Sequence, residues 1–535
     1  MKCRQARHLS LIMAALGALW LGVFPLWQDL SYAHITRAKW IGALWLCALC
    51  VVTAVPVTIV ALRREGRRSL RPHPALWLAL GYFLWVALSA WQGSLSGLLN
   101  SRGEPAVLMG AIRYEGLYTH LCYGLIFFSM SVHPARLRPV LWAAVAALAL
   151  FMGLVALQYT GVNPLGLYPS GRSIYANYEF QGTIGNIDMV SGYLCIVMPL
   201  LLMGYLLKGG PALLAGGLGC VLLMTMMEVQ SGLIATALLC GLLLAVMLFR
   251  PETRCRGLII FCGLAAMLAL RKAIYLPWLD GGLRTEAPVT FSFGRTSAAL
   301  LGVSGVFACA ALLLRAHPGP ALSGRAVLAL IAVFMIAVVS VLAFAPIPES
   351  MGGVYEIHEM LCGRARDEYG SWRVGAWRNA LAIWKENPIF GTGPDTYYYA
   401  LHNRLEATGE VLGENFDNPH NEYLAILSNN GFPALLCYLG LLFTVLLSCL
   451  RLGLRESWLW ALGTSILCYA AQGFFSFSIC LVSPMFWAVL GMTCAHIARQ
   501  KRLQSAPQHA TMDTRGDTHA DQLRTQAPCP DGPEG

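Results

Sequence analysis

The chain has 535 residues, of which 57% are apolar and only 12% charged, against about 25% charged in an ordinary soluble domain. That leaves too little polar surface for a water-soluble shell. The formal net charge of +10, which in a soluble protein would suggest nucleic acid, is read here as membrane topology, and no nucleic-acid partner is expected.

Runs of about 20 apolar residues recur, each long enough to span a hydrocarbon core about 30 Å thick. Stretches such as Ile331 to Ala345 do not alternate apolar and polar residues as barrel strands do. The expectation is an all-α polytopic membrane protein of about 12–14 transmembrane helices with one large extracytoplasmic loop. Fourteen candidate spans fall at 9–27, 40–62, 75–91, 117–131, 137–158, 187–207, 211–227, 231–249, 257–275, 297–315, 326–345, 433–450, 457–478 and 480–498; merging two would leave twelve.

The first run follows Lys2, Arg4 and Arg7, as a signal peptide does. Trp20, Phe24, Pro25 and Trp27 stand where small cleavage-site residues belong, so it reads as a retained span. The 17 cysteines sit mostly inside apolar runs. Cys47 and Cys50 form a C-x-x-C in mid-helix with no second pair nearby, which suits small buried residues better than a metal or redox site.

With the N-terminus placed in the cytoplasm, the short even-numbered connections carry Arg63, Arg64, Arg67, Arg68 and Arg71; Arg136 and Arg138; Lys208; Arg250, Arg254 and Arg256; Arg315 and Arg325; Arg451 and Arg455; and the C-terminal Arg499, Lys501 and Arg502. The positive-inside rule then puts both termini in the cytoplasm of a multi-pass protein of the cytoplasmic membrane. The chain divides into an N-terminal bundle at 1–345, an extracytoplasmic catalytic loop at 346–432, C-terminal helices at 433–498 and a polar, disordered cytoplasmic tail at 499–535. The loop is the only long connection, and long connections in compact folds usually carry function.

Within it, Val374, Trp377, Leu381 and Trp384 recur at helical spacing. They predict a short amphipathic helix at the membrane interface from Arg373 to Glu386, ended by Asn387-Pro388. Arg373 and Arg378 border it, either snorkelling to lipid headgroups or clamping a diphosphate with their guanidinium forks. Gly391-Thr392-Gly393-Pro394 makes a tight turn where backbone can approach a ligand. Asn418 is a good N-cap and Pro419 a good first residue for a helix running to about Asn429, with Asn430-Gly431 as its stop. His420 would then lie in the first turn. The helix dipole disfavours the imidazolium there, leaving a neutral base beside an anion-attracting helix end. A structural hydrogen-bonding role is the plainer reading of the same residue. His358 and His402 lack this context. Asp188 and Glu179 border the sixth span, where ionisable groups are functional suspects by default, although Asp188 equally suits a helix cap.

Arg373-x-x-x-Trp377, then Asn387 to Pro394, then His420-Asn421 with Gly431 following, resembles the O-antigen ligase and O-antigen polymerase-like family of membrane glycosyltransferases. The match is strongest from about 370 to 440. Weaker echoes are Arg113-Tyr114-Glu115-Gly116-Leu117 and Gly182 to Asn186. The resemblance implies a GT-C-like fold and a metal-independent enzyme without cofactor. Such an enzyme passes a glycan from an undecaprenyl-diphosphate carrier to a glycan or lipid acceptor on the outer face of the bilayer. His420 would be the base on the acceptor hydroxyl, and Arg373 would hold the diphosphate. Arg378, Trp377, Gly391, Gly393, Asn421 and Glu422 would line the substrate site. No D-x-D triad occurs. The family's further arginine, in a Ser-Arg-Gly context, is absent from Gln230-Ser231-Gly232-Leu233, and Arg113, Arg172 and Arg295 are the candidates to supply that charge. A transporter of lipid-linked sugars is the main rival, but it would be expected to show internal repeats and broken helices near midspan. An inactive scaffold is the third reading.

Overall fold

A computed structural model describes residues 2–65, 73–169, 180–275, 290–316 and 319–505, with backbone only at 2–5, 64–65, 316 and 505. The first elements are α1 (Lys2–Ala18), α2 (Ile35–Glu65), α3 (Pro74–Ser94), the single turn α4 (Ala106–Met109), α5 (Leu117–Met130) and α6 (Leu137–Tyr159). A hairpin of β1 (Phe180–Gln181) and β2 (Gly185–Asn186) leads into α7 (Ile187–Lys208), α8 (Pro211–Met227), α9 (Gln230–Phe249) and α10 (Arg254–Ala273). A second hairpin, β3 (Ile274–Tyr275) with β4 (Thr290–Phe291), precedes α11 (Arg295–Ala316) and α12 (Gly324–Phe344). The loop carries α13 (Gly353–Leu361), α14 (Arg373–Glu386) and α15 (Tyr397–Thr408), and the chain closes with α16 (Glu422–Leu452), α17 (Trp458–Gly473) and α18 (Ser483–Ser505).

This is the expected all-α polytopic membrane protein. Each of the fourteen expected spans falls on a helix, and among the described residues ten helical segments are long and apolar enough to cross a bilayer. α5 and α8 are apolar but shorter, and α17 has 16 residues. Helix α18 runs on to Ser505, past the expected start of the tail at 499. Residues 506–535 lie outside the described part. α7 is the axis of the bundle, with every residue from Met189 to Leu206 buried. α12 is its opposite, burying only Val327 while Leu330, Val333, Phe334 and Ile336 stay exposed. Such an all-round apolar surface suits lipid.

The basic connections meet at one end of the bundle. Arg250 Nη2 donates to Leu454 O (3.2 Å) and Arg254 Nη2 to Pro320 O (2.7 Å). Arg136 N bonds Ser10 O (3.1 Å). α3 runs from that end, where His73 Nε2 meets Ser448 Oγ (3.2 Å), to the other, where Gly93 packs on Gly393. The first span breaks before that second end, into a π turn at Leu19–Val23 and a 3-10 turn at Phe24–Leu26. The fully buried Lys39 donates to Phe24 O (2.7 Å) and Pro25 O (2.8 Å), and Thr183 Oγ1 also donates to Pro25 O (2.7 Å). Carbonyls freed by a broken helix must find partners inside the protein when water is excluded.

A second break fixes the loop to the bundle. Pro433 has no N–H, so the Asn429 carbonyl has no helical partner. Gly431 leaves the helical region altogether (φ 80°, ψ 173°). Gly393 N (2.8 Å) and Ser89 Oγ (3.0 Å) donate to Asn429 O, Thr392 N donates to Ser428 O (3.1 Å), and Phe432 N turns to Pro388 O (3.0 Å). The close approach allowed by Gly391 and Gly393 is therefore to α16. A Cβ on Gly391 would lie 2.4 Å from Asn429 C and O.

A methyl group at Gly431 would fall 2.0 Å from Ile389 O, at a φ that L-residues avoid. Gly431→Ala is expected to destabilise the protein by at least about 2 kcal/mol, read as a lowered melting temperature in detergent by tryptophan fluorescence. Gly241→Ala, in α9 with open space around it, should leave the melt unchanged.

Candidate functional site

The site lies where the loop meets the second end of the bundle. α14 spans Arg373–Glu386, the bounds its spacing predicts, but its buried face is Ala376, Asn379, Ala380 and Ile383. These residues pack with Tyr397, Leu401 and Phe416 in a small core of the loop itself. Val374, Trp377, Leu381 and Trp384 are only partly covered. The large side chains dominated the sequence pattern, whereas close helix packing used the small ones.

Asn421, not Asn418, caps α16: its Oδ1 accepts from Leu424 N (3.0 Å). Asn418 Oδ1 instead accepts from His420 N (2.9 Å), a local Asx turn. His420 thus precedes the helix, in the left-handed region at φ 47°. Its ring stands edge-on between Phe416 (5.5 Å, 80°) and Phe477 (5.0 Å, 76°), and its buried Nδ1 has no protein hydrogen-bond partner. Burial pushes the imidazole pKa down to about 4; the Arg373 charge and, more weakly, Arg113 push the same way, and Asp417 opposes them. The base is neutral at physiological pH. Desolvation and neighbouring guanidinium groups make it so, rather than the helix dipole expected from the sequence.

Arg373 opens α14 after two residues with positive φ, Ser371 and Trp372. Among the described residues no carboxylate pairs with its guanidinium. Trp377 packs on Phe474 (5.6 Å) and Phe475 (6.2 Å), and its buried Nε1 donor is unpartnered. Arg113 joins the site from the α4–α5 connection, ion-paired to Asp417 with its guanidinium 4.7 Å from the Phe477 ring centre. Of the three arginines considered for the missing charge, Arg113 alone is placed here. Arg295 is exposed at the start of α11 and does not line the cavity described below. Arg172, like Glu179, lies outside the described residues. Arg378 is exposed and tied to Asp367 by two 2.9 Å contacts. Ser231, where the family arginine would stand, is buried near the start of α9 with its hydroxyl unpartnered.

Below Arg113 is a cavity of about 60 Å³ whose lining includes Tyr82, Glu115, Asp395, Asp417, Glu422, Asn429, Asn430 and Trp487. Asp395 Oδ2 accepts from Ala111 N (2.9 Å) and Glu115 N (3.4 Å). Burial, then the Asp417 charge, raises its pKa to about 6. Tyr123 donates to Glu115 Oε1 (2.8 Å), and burial holds the Glu115 carboxyl well above the usual range. Tyr438 donates to Glu422 Oε1 (2.7 Å). Sequence reading missed Asp395, Asp417, Asn429 and Asn430 as site residues, and met Glu115 only within the Arg113 to Leu117 echo. The available signals were the paired asparagines in an apolar helix and the acidic residues beside apolar spans. Among the described residues no cluster of three or more His, Cys, Asp or Glu side chains has metal-binding geometry.

The arrangement offers a neutral base, an uncommitted guanidinium and an unused indole donor at the rim, suited to an anion and a hydroxyl nucleophile. Residues 289–439, which contain Arg373 and His420, match the O-antigen ligase family profile. The match supports an O-antigen ligase-like membrane glycosyltransferase in general terms. No curated protein matches the chain.

Replacing Arg373 by Gln removes a positive charge beside the imidazole, so the His420 pKa should rise from about 4 toward its ordinary value near 6.5. Asp417→Asn should lower it further. A histidine NMR titration of wild type and both variants checks the two opposite shifts.

Proposed function

We propose that the chain transfers a glycan from an undecaprenyl-diphosphate carrier to a hydroxyl acceptor at the outer face of the cytoplasmic membrane, as a ligase or a polymerase, with both termini in the cytoplasm. The single observation that carries this reading is the pairing of a neutral His420, whose Nδ1 has no protein hydrogen-bond partner, with an Arg373 that no carboxylate among the described residues neutralises. Both side chains are half-buried, so the guanidinium is free to take an anionic ligand beside the imidazole. A diphosphate supplies the missing anion.

In this mechanism the carrier diphosphate lies against the Arg373 fork, with the Trp377 indole N–H as a further donor. The acceptor O–H gives its proton to the imidazole while its oxygen attacks the anomeric carbon. The bond from that carbon to the diphosphate oxygen breaks, and the electron pair leaves on the diphosphate, where Arg373 stabilises it. A base of pKa about 4 is weak. The bound diphosphate raises it, because its negative charge offsets the guanidinium that depresses the imidazole. The enzyme therefore gains basicity as the donor binds. Arg113, held by Asp417 and Phe477, adds positive field from the other side.

His420→Ala and Arg373→Ala should each abolish surface glycan attachment while protein level and lipid-linked precursor stay intact, which immunoblots and precursor extraction would check. Unchanged glycan in both variants would remove the assignment. Precursor trapped on the inner face would point to transport instead. In a reconstituted assay the rate should fall as pH drops and His420 becomes protonated. The falling limb should sit at higher pH for kcat than for kcat/KM, since the former reports the donor-bound enzyme.

A further inference from the structure

The cavity beneath Arg113 holds two amide oxygens with no donor to meet them, Asn429 Oδ1 and Asn430 Oδ1. Both residues are more than nine-tenths buried, at 8% and 3% exposure. Buried polar atoms in a native protein are normally satisfied by protein, water or ligand, and two adjacent orphaned amide oxygens lining one cavity call for a ligand with several O–H groups. The aromatic lining, Tyr82, Phe477 and Trp487, offers flat apolar surface of the kind that packs against the C–H face of a sugar ring. Its volume of about 60 Å³ is several times the roughly 10–15 Å³ of such space that one water needs. It admits the hydroxyls along one edge of a ring and leaves the rest of the ring at the mouth.

The charge around it decides what kind of sugar. Asp395, Asp417, Glu115 and Glu422 all line the space, and its one arginine, Arg113, is already paired to Asp417. Bringing a phosphate or carboxylate there would set an anion against buried acids. A hydroxyl both donates and accepts, so it fits the carboxyl groups whether or not they carry a proton.

We propose that this cavity is a subsite for the uncharged hydroxyl edge of a sugar and that it rejects phosphorylated or acidic sugars. The proposal rests on the glycosyl-transfer reading and divides the substrates by charge. The diphosphate takes the Arg373 side, and a neutral glycan takes the acidic side, with the Phe477 ring between the cavity and His420.

The test uses the full chain in nanodiscs. Neutral methyl hexosides should quench tryptophan fluorescence saturably, and the corresponding hexose 6-phosphates should not. Asn430→Ala and Asn429→Ala should each weaken the neutral sugars roughly three- to tenfold, the effect of one lost hydrogen bond. Neither Oδ1 has a protein partner, so truncation breaks no protein hydrogen bond at that atom. With transfer reconstituted, the same variants should raise the KM of the glycan that occupies the cavity. A rise for the acceptor places the acceptor there, and a rise for the donor places the donor's sugar there. Absence of saturable binding, equal binding of phosphates, or insensitivity to both variants would overturn the proposal. A wild type that binds hexosides but fails to consume a lipid-linked donor would defeat the transferase reading and leave the sugar site standing.

Discussion

The architecture of the site depends on one broken helix. α16 cannot continue through residues 431–433, because Pro433 lacks the donor that Asn429 O requires and Gly431 turns the chain out of helical geometry. Within a bilayer the freed carbonyls cannot turn to water. They are taken by the backbone of 392–393 and by Ser89, while Phe432 N is given to Pro388. The break is thus a joint: it attaches a loop that carries its own small core to α3 and α16. That attachment sets Asp395 against the α4–α5 connection, and through it Arg113 and Asp417 come together.

Around that joint the charges are sorted. On one side burial, with the Arg373 guanidinium adding to it, holds the His420 imidazole neutral. On the other, buried carboxyls and amides face a small cavity. Phe477 stands between, edge-on to His420 and beneath Arg113. Low dielectric strengthens both halves, since an anion is favoured strongly at the first and opposed strongly at the second. In the proposed reaction the imidazole would become more basic as an anionic donor arrives, without any moving part.

Much of this was legible in the chain. Apolar run length located the helices, and Asn387-Pro388 ended α14 at the expected residue. His420 and Arg373 stood out as chemistry-bearing residues in the one long loop. Local geometry was harder to read. Asn418 and Asn421 are equally good caps by type, and only the left-handed turn at His420 decides between them. The face of α14 was misassigned because tryptophans weigh heavily in a periodicity, while the packed side is built from alanines and an asparagine. The cavity was out of reach for a different reason. Glu115 and Asp395 are 280 positions apart, and nothing in composition or spacing brings such residues together. The paired asparagines of α16 were read as a helix stop, which they are, and their orphaned oxygens appear only once the fold is assembled.

The most direct test of the central claim is a structure of the protein in a lipid nanodisc with undecaprenyl diphosphate bound. The account requires the diphosphate oxygens on the Arg373 guanidinium, with the imidazole of His420 facing the space next to them. Diphosphate bound at the opposite end of the bundle, among the basic connections around Arg250 and Arg254, would contradict it.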